Sequence, residues 1–346
     1  MKKTILRVAA LLLCVASVLT ACAKPEPPLV SQEPVKETRT SLLGTVISIT
    51  LYGSADKALF DGAFSVVADI DNRMSANKEN SEISAIGRES GNRAVSVSDD
   101  TYKLIERALG FSELCGGTFD ITVGSVMELW KTGEDFSVRP DASELARRLP
   151  LINYKNVLLS DGGVMLKDDG MKLDLGAIAK GYACDMTLEY LKEQGVKTAL
   201  LDFGGNIYTF GQKPDGSPWR LGIRSPIIGE NGIVCSITVN DESVVTSGGY
   251  ERYFEEDGTI YHHLLNPKTG CPADSGIVSM TIVDPSSARA DALSTACFVL
   301  GLDEGLALLE SLPDSEGIFI LKDNSIVITS GLTGRAAITD ERFTMR

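Results

Sequence analysis

His262 and His263 are the only two histidines in a chain of 346 residues, and they stand side by side in Tyr261-His262-His263-Leu264-Leu265-Asn266-Pro267-Lys268-Thr269-Gly270. Histidine is the side chain best suited to exchange a proton near neutral pH. Successive strand residues face opposite ways, so at most one of the pair should face a site. The plainer reading is a surface pair on a loop, because Asn-Pro and Thr-Gly mark a turn just beyond. A second group is Asp291 with Thr295, four residues apart and therefore on one helix face. A carboxylate and a hydroxyl are both hard oxygen donors, suited to Mg²⁺. The same two residues also fit an acid favouring a helix start and a threonine bonding back to its own backbone.

Two further clusters could hold a ligand. In Lys172-Leu173-Asp174-Leu175-Gly176-Ala177-Ile178-Ala179-Lys180-Gly181-Tyr182, a strand delivers Asp174 to the start of a helix. Free amides there can receive a phosphate, with Lys180 as counter-charge. Asp174 is equally suited to be a plain N-terminal cap. In Gly116-Gly117-Thr118-Phe119-Asp120-Ile121-Thr122-Val123-Gly124, glycines allow close backbone approach, and Phe119 offers an apolar surface beside an acid. The alternative there is a loop with a buried aromatic plug.

Positioning these groups requires a mixture of elements. Alternation predicts a strand over Val46 to Tyr52. Helical spacing over Asp56 to Met74 puts Phe60, Phe64, Val67 and Ile70 on one face. Thr101 to Cys115 reads as a helix ended by Gly116-Gly117. Met171 to Leu175 reads as a short strand, and Gly176 to Gln194 as a long helix. Strands are expected at Ala199 to Phe203, from Ile207, at Ile233 to Val239, Ser243 to Thr246 and Ile277 to Val283. Helices are expected at Arg289 to Leu300 and Asp303 to Leu312, and a closing hairpin turns at Asp323-Asn324. No regular β-α-β beat appears, which favours an α+β fold. There is no Gly-x-Gly-x-x-Gly after a first strand and no Walker loop.

The chain carries a formal charge of −14 and shows no basic stripe, which argues against nucleic-acid binding. An anionic ligand therefore needs local help from a cation, a helix N-terminus or a metal. Cys115, Cys184, Cys235, Cys271 and Cys297 are odd in number, widely spaced and free of any CxxC pair. One disulfide is possible on this count; buried free thiols are the reading favoured. The first residues look like an export signal: Lys2, Lys3 and Arg7, then an apolar run from Val8 to Leu19, then Thr20, Ala21 and Cys22. That run is short of the roughly 20 residues that span a bilayer. Leu-Thr-Ala-Cys resembles the lipobox of bacterial lipoproteins, which implies a lipid on Cys22 and removal of residues 1–21. Pro25, Pro27, Pro28 and Pro34 give residues 22–40 the character of an extended tether, leaving 41–346 as one folded domain.

Taken in order, the clusters resemble the FAD:protein FMN transferase (ApbE) family. The likeness runs from Leu43-Gly44-Thr45 through Met74-Ser75, Ser81-Glu82-Ile83, Thr118-Phe119-Asp120, Asp174-Leu175-Gly176 to Gly181-Tyr182-Ala183, Asp202-Phe203-Gly204-Gly205-Asn206, Thr246-Ser247-Gly248, and His263 to Gly270, ending at Asp291 to Thr295. The resemblance implies a single large α+β domain, T-fold-like, with mixed sheets and packed helices. It implies Mg²⁺-dependent transfer of FMN from FAD to a threonine or serine of a target protein. It places FAD contacts at Leu43, Asn77, Thr118, Phe119, Asp120, Asp174, Lys180 and Leu265. It places Mg²⁺ on Asp291, Thr295 and the Ala177 carbonyl, and makes His263 the proton acceptor. The partners implied are exported flavin-bearing subunits of membrane electron-transfer complexes, met at the extracytoplasmic face of a bacterial membrane. Asn77 stands where many members carry an aromatic, so weaker hold on the flavin is expected. Asn266 replaces a common aspartate and can keep the same turn. Within the same site, an FAD pyrophosphatase giving FMN and AMP is the alternative; a non-enzymatic flavin scavenger is the rival from another class.

Overall fold

The computed structural model describes residues 33–346 apart from 55, 133 and 134. The export signal, Cys22 and most of the proposed tether lie outside the described residues. The last part of that tether is a correction. Val35–Leu42 (β1) is a strand, paired antiparallel with Thr45–Leu51 (β2) from Val35 opposite Leu51 to Leu42 opposite Thr45. Its sequence, VKETRTSL, alternates half-buried and exposed positions, as an edge strand does. The folded part thus starts before residue 41, and charge on an edge strand resembles a linker when read alone.

β1 and β2 open a nine-stranded sheet completed by Ala199–Phe203 (β3), Asn206–Phe210 (β4), Ser243–Gly248 (β5), Ile277–Asp284 (β6), Glu316–Leu321 (β7), Ser325–Ile328 (β8) and Thr344–Met345 (β9). The strands lie in the sheet in chain order, each antiparallel to the last except the final parallel pair. Side chains alternate between two cores. Val245, Met280, Ile282 and Phe319 enter the larger core with the helices. Val244, Val283, Ile318 and Ile320 enter a second core under a three-stranded sheet of Trp219–Arg224, Ile233–Val239 and Ala336–Ile338. The sheet is covered on both faces, which explains why β6 is buried along almost its whole length.

The main helices are Lys57–Met74 (α1), Asp99–Leu114 (α2), Ala179–Glu193 (α3) and Ser287–Leu300 (α4). α1 buries Phe60, Phe64, Val67 and Ile70, and Asp56 caps it by accepting from the Ala58 amide at 2.9 Å. α2 stops where Gly116 and Gly117 take φ of +59° and +79°, a region that suits glycine. α4 is buried almost all round, in keeping with a helix central to the core. Among the described residues no helix is long and apolar enough to cross a membrane. Cys115, Cys184, Cys235, Cys271 and Cys297 are all free thiols, four of them buried.

Two sequence expectations fail around Asp174. Residues 171–175 form no strand; only Lys172 makes a single bridge, to Val123. The helix starts at Ala179, not Gly176. Asp174 Oδ1 accepts from the Gly176 amide at 2.7 Å, which turns the chain at residues 176–178 and delays the helix. Asp174 is therefore a turn-former rather than the cap of α3.

Candidate active site

α3 and α4 meet where Gly181 faces Ser287. A Cβ on Gly181 would lie 2.2 Å from the Ser287 carbonyl oxygen, so only glycine lets the two backbones come this close. Across this contact, Asp291 of α4 reaches back to α3. Its Oδ2 accepts from the Gly181 amide at 3.0 Å, and the Lys180 ammonium sits 3.2 Å from Oδ1. Asp291 is 3% exposed, so its charge is matched by that ammonium and that amide rather than by water. The Gly181 amide lies in the first turn of α3, where amides have no partner within the helix, and Asp291 supplies one. None of the described hydrogen bonds ends on the Ala177 carbonyl, just before the helix. One turn beyond Asp291, Thr295 Oγ1 lies 3.4 Å from Ser247 Oγ, which also meets Ser294 Oγ at 2.8 Å.

The two histidines part company as strand alternation requires. A hairpin of Tyr253–Glu256 and Thr259–His262 carries them to its base. His262 turns inward: its Nε2 meets the Ala273 carbonyl at 3.2 Å and its ring stands edge-on to Phe298. His263 Nδ1 meets the Arg252 carbonyl at 3.2 Å. A carbonyl only accepts, so Nδ1 carries the proton and Nε2 keeps a bare lone pair. His263 is half-buried. Burial first, then the charge of Arg252, push its pKa down to about 3. The ring is neutral at physiological pH. Arg252 also donates to the Gly44 carbonyl at 3.4 Å, which brings the turn holding Leu43, at φ +51°, beside the histidine.

A third group gathers around Asp120 and Asp174. Asp120 Oδ1 accepts from the Thr122 amide (2.8 Å) and hydroxyl (2.6 Å), and Oδ2 from the Tyr154 amide (2.9 Å). Burial raises its pKa and these bonds oppose the rise. The Asp174 amide donates to the Ile121 carbonyl at 2.8 Å, and Lys131 Nζ lies 3.9 Å from Asp174 Oδ2. Trp130, from the same stretch, donates to the Gly270 carbonyl at 2.9 Å and shares a small core with Leu265. The segments 118–131, 172–174 and 263–270 are thus tied together. Thr118, Phe119 and Leu265 are buried. Phe119 is the aromatic plug, so any ligand contact there falls to the backbone of residues 116–119. Asn77 stands apart, exposed in the turn after α1. None of the described side-chain contacts joins it to Asp291, Lys180 or His263.

Comparison with known proteins decides the family. The ApbE family model matches residues 43–319. The chain belongs to the ApbE family. It is 36% identical over 291 residues to the FAD:protein FMN transferase of Klebsiella pneumoniae, covering 84% of this chain and 90% of that one. It is 36% identical over 323 residues to the FAD:protein FMN transferase of Treponema pallidum, with 88% and 89% covered. Among solved structures, the ApbE protein of Thermotoga maritima superposes with a TM-score of 0.80 at 32% identity, covering 88% of this chain and 99% of that one. The apo flavinyl transferase ApbE of Pseudomonas stutzeri gives 0.78 at 26% identity, with 89% and 98% covered. The single mixed α+β domain expected of an ApbE protein is the one observed.

Sequence reasoning passed over three residues that shape this ApbE site. Ser247 lay inside a quoted motif but received no role, although it is the partner of Thr295. Lys131 faces Asp174 from 43 residues away in the chain, and no spacing rule connects them. Asp185, whose carboxylate accepts from the Ser287 amide at 2.7 Å, did leave a signal: it falls four residues after Gly181, on the same face of α3.

Proposed function

We propose that this chain transfers FMN from FAD to a serine or threonine hydroxyl of an acceptor protein and releases AMP. The observation that carries the reading is the Asp291 group: a buried carboxylate, a hydroxyl one turn on and, just before α3, a main-chain carbonyl on which none of the described hydrogen bonds ends. Those are hard oxygen donors, the kind Mg²⁺ takes together with substrate phosphates. The Lys180 ammonium resting on Asp291 supports a site that takes positive charge. Mg²⁺ would be held by Asp291, Thr295 and the Ala177 carbonyl, and would supply neutralisation of the pyrophosphate charge on a chain that is otherwise acidic. FAD would lie along the residues of the third group, with Leu43 and Asn77 at its edges.

The chain's own residues then have simple tasks, because phosphoryl-type transfer asks for position and charge more than covalent help. Lys180 adds a positive charge beside the phosphates. His263 Nε2 takes the proton of the attacking hydroxyl. The hydroxyl oxygen bonds to the FMN phosphorus, the bond from that phosphorus to the AMP oxygen breaks, and AMP leaves with the electron pair. Hydrolysis to FMN and AMP is the same chemistry with water as the nucleophile. A scavenger that only stores flavin has no use for the Asp291 group. Chelation with EDTA should stop transfer completely, and added Mg²⁺ should restore it; turnover that persists in EDTA would remove the metal from the scheme.

The export signal and the Leu-Thr-Ala-Cys box support a further part of the proposal. The enzyme is held by lipid on Cys22 at the extracytoplasmic face of a bacterial membrane, near exported subunits of electron-transfer complexes that carry flavin. Two or more acyl chains hold a protein firmly, at about 0.8 kcal/mol per buried methylene. Cys22→Ser should shift the protein from the membrane pellet to the soluble fraction without changing its rate on a soluble acceptor. Retention in the pellet after that change would refute lipid anchoring.

A further inference from the structure

Asp185 lies on α3, yet its carboxylate serves α4. Its Oδ1 accepts from the Ser287 amide at 2.7 Å, and its Oδ2 from the Ala288 amide at 3.1 Å and the Ser286 hydroxyl at 2.8 Å. The first amides of a helix have no partner within it. Here a neighbouring helix supplies one, and an anion at that end also favours the helix dipole. Arg107 of α2 donates to the Ser286 hydroxyl at 2.7 Å and braces the group from outside. Asp185 is one turn after Gly181, and Ser287 one turn before Asp291. The α3–α4 pair is therefore pinned twice on facing turns: by Asp185 on the α4 amides, and by Asp291 on the Gly181 amide. The glycine contact between the pins leaves no room for slippage.

We propose that Asp185 is a positioning residue for the cation site, fixing the distance between the Ala177 end of α3 and the Asp291–Thr295 face of α4. The inference rests on the metal reading above. Donors on two different helices make a site only if the helices keep their register. The ligands on α4 are then held by a carboxylate that never touches the cation. Outer-shell partners of this kind typically change metal affinity by about 10- to 100-fold when removed.

The test uses Mn²⁺ as the probe, read by its electron paramagnetic resonance in the presence of FAD and without acceptor, so that no turnover enters. Asp185→Asn keeps the shape but turns an amide nitrogen toward donors. Its Mn²⁺ dissociation constant should rise by about 10-fold or more, FAD binding measured without metal should be unchanged, and saturating Mg²⁺ should restore much of kcat. Asp185→Glu should recover part of the affinity. Should Asp185→Asn fail to fold, Ser286→Ala, which removes one of the three bonds, should give a smaller loss in the same direction. Unchanged Mn²⁺ affinity in the folded variants, with Asp291→Ala abolishing binding, would overturn the role of Asp185 alone. Unchanged affinity in Asp291→Ala as well would overturn the metal reading beneath it.

Discussion

Asp291→Ala is expected to lower Mg²⁺-dependent FMN transfer by about 10³-fold, or ~4 kcal/mol of barrier, while the protein stays folded. The carboxylate is the acidic donor of the Ala177, Asp291 and Thr295 group, and no cluster of three or more His, Cys, Asp or Glu exists among the described residues to replace it. Its loss also frees Lys180, which is partly exposed and can turn to water. The fold should therefore survive, as circular dichroism and a cooperative thermal transition would show. The helices stay packed through apolar contacts and the Asp185 bonds. Asp291→Asn should be nearly as inactive, since the amide retains the shape and loses the charge. Activity within a few-fold of the parent would mean that the cation, if needed, binds elsewhere.

His263→Ala is expected to slow transfer by about 10²- to 10³-fold with FAD affinity changed less than about threefold, as removal of a general base does. The hydrogen bond from Nδ1–H to the Arg252 carbonyl aims the bare Nε2, and alanine supplies no substitute. The pH dependence follows from the direction of the shift. A pKa lowered to about 3 leaves the free-enzyme ring able to accept a proton at every pH above that value and unable below it. The kcat/KM profile should show no acid limb from His263 between pH 5 and 8. A limb near the ordinary histidine value of ~6.5, vanishing in His263→Ala, would show that the ring is far less desolvated in solution. An equal loss of FAD binding and rate would place His263 in flavin recognition instead.

The fold was legible where the residues themselves set the period. α1, α2, β2, β3, β6 and the closing hairpin around Asp323-Asn324 follow from spacing, caps and turn chemistry. β1 was not legible, because its lysine, glutamate and arginine look like a linker until β2 lies beside them. The Met171 to Leu175 stretch has a strand's composition but lacks a partner to pair with, and a partner is a matter of tertiary structure. In the site, Asp291, Thr295 and Lys180 were chosen from type and order. What sequence could not supply was the bond from the Gly181 amide to Asp291, across 110 residues of chain. Phe119 illustrates the converse: an aromatic beside an acid suggests a ligand face, while its buried position makes it part of the core.

The most direct test is to weigh an acceptor domain after incubation with the purified enzyme, FAD and Mg²⁺. The acceptor should carry a Ser/Thr-Gly-Ala-Thr-like segment. The account predicts a mass gain of one FMN on the acceptor, lost when the acceptor hydroxyl is removed, with AMP released in equal amount. An unchanged acceptor mass with free FMN and AMP accumulating would contradict it and leave a pyrophosphatase.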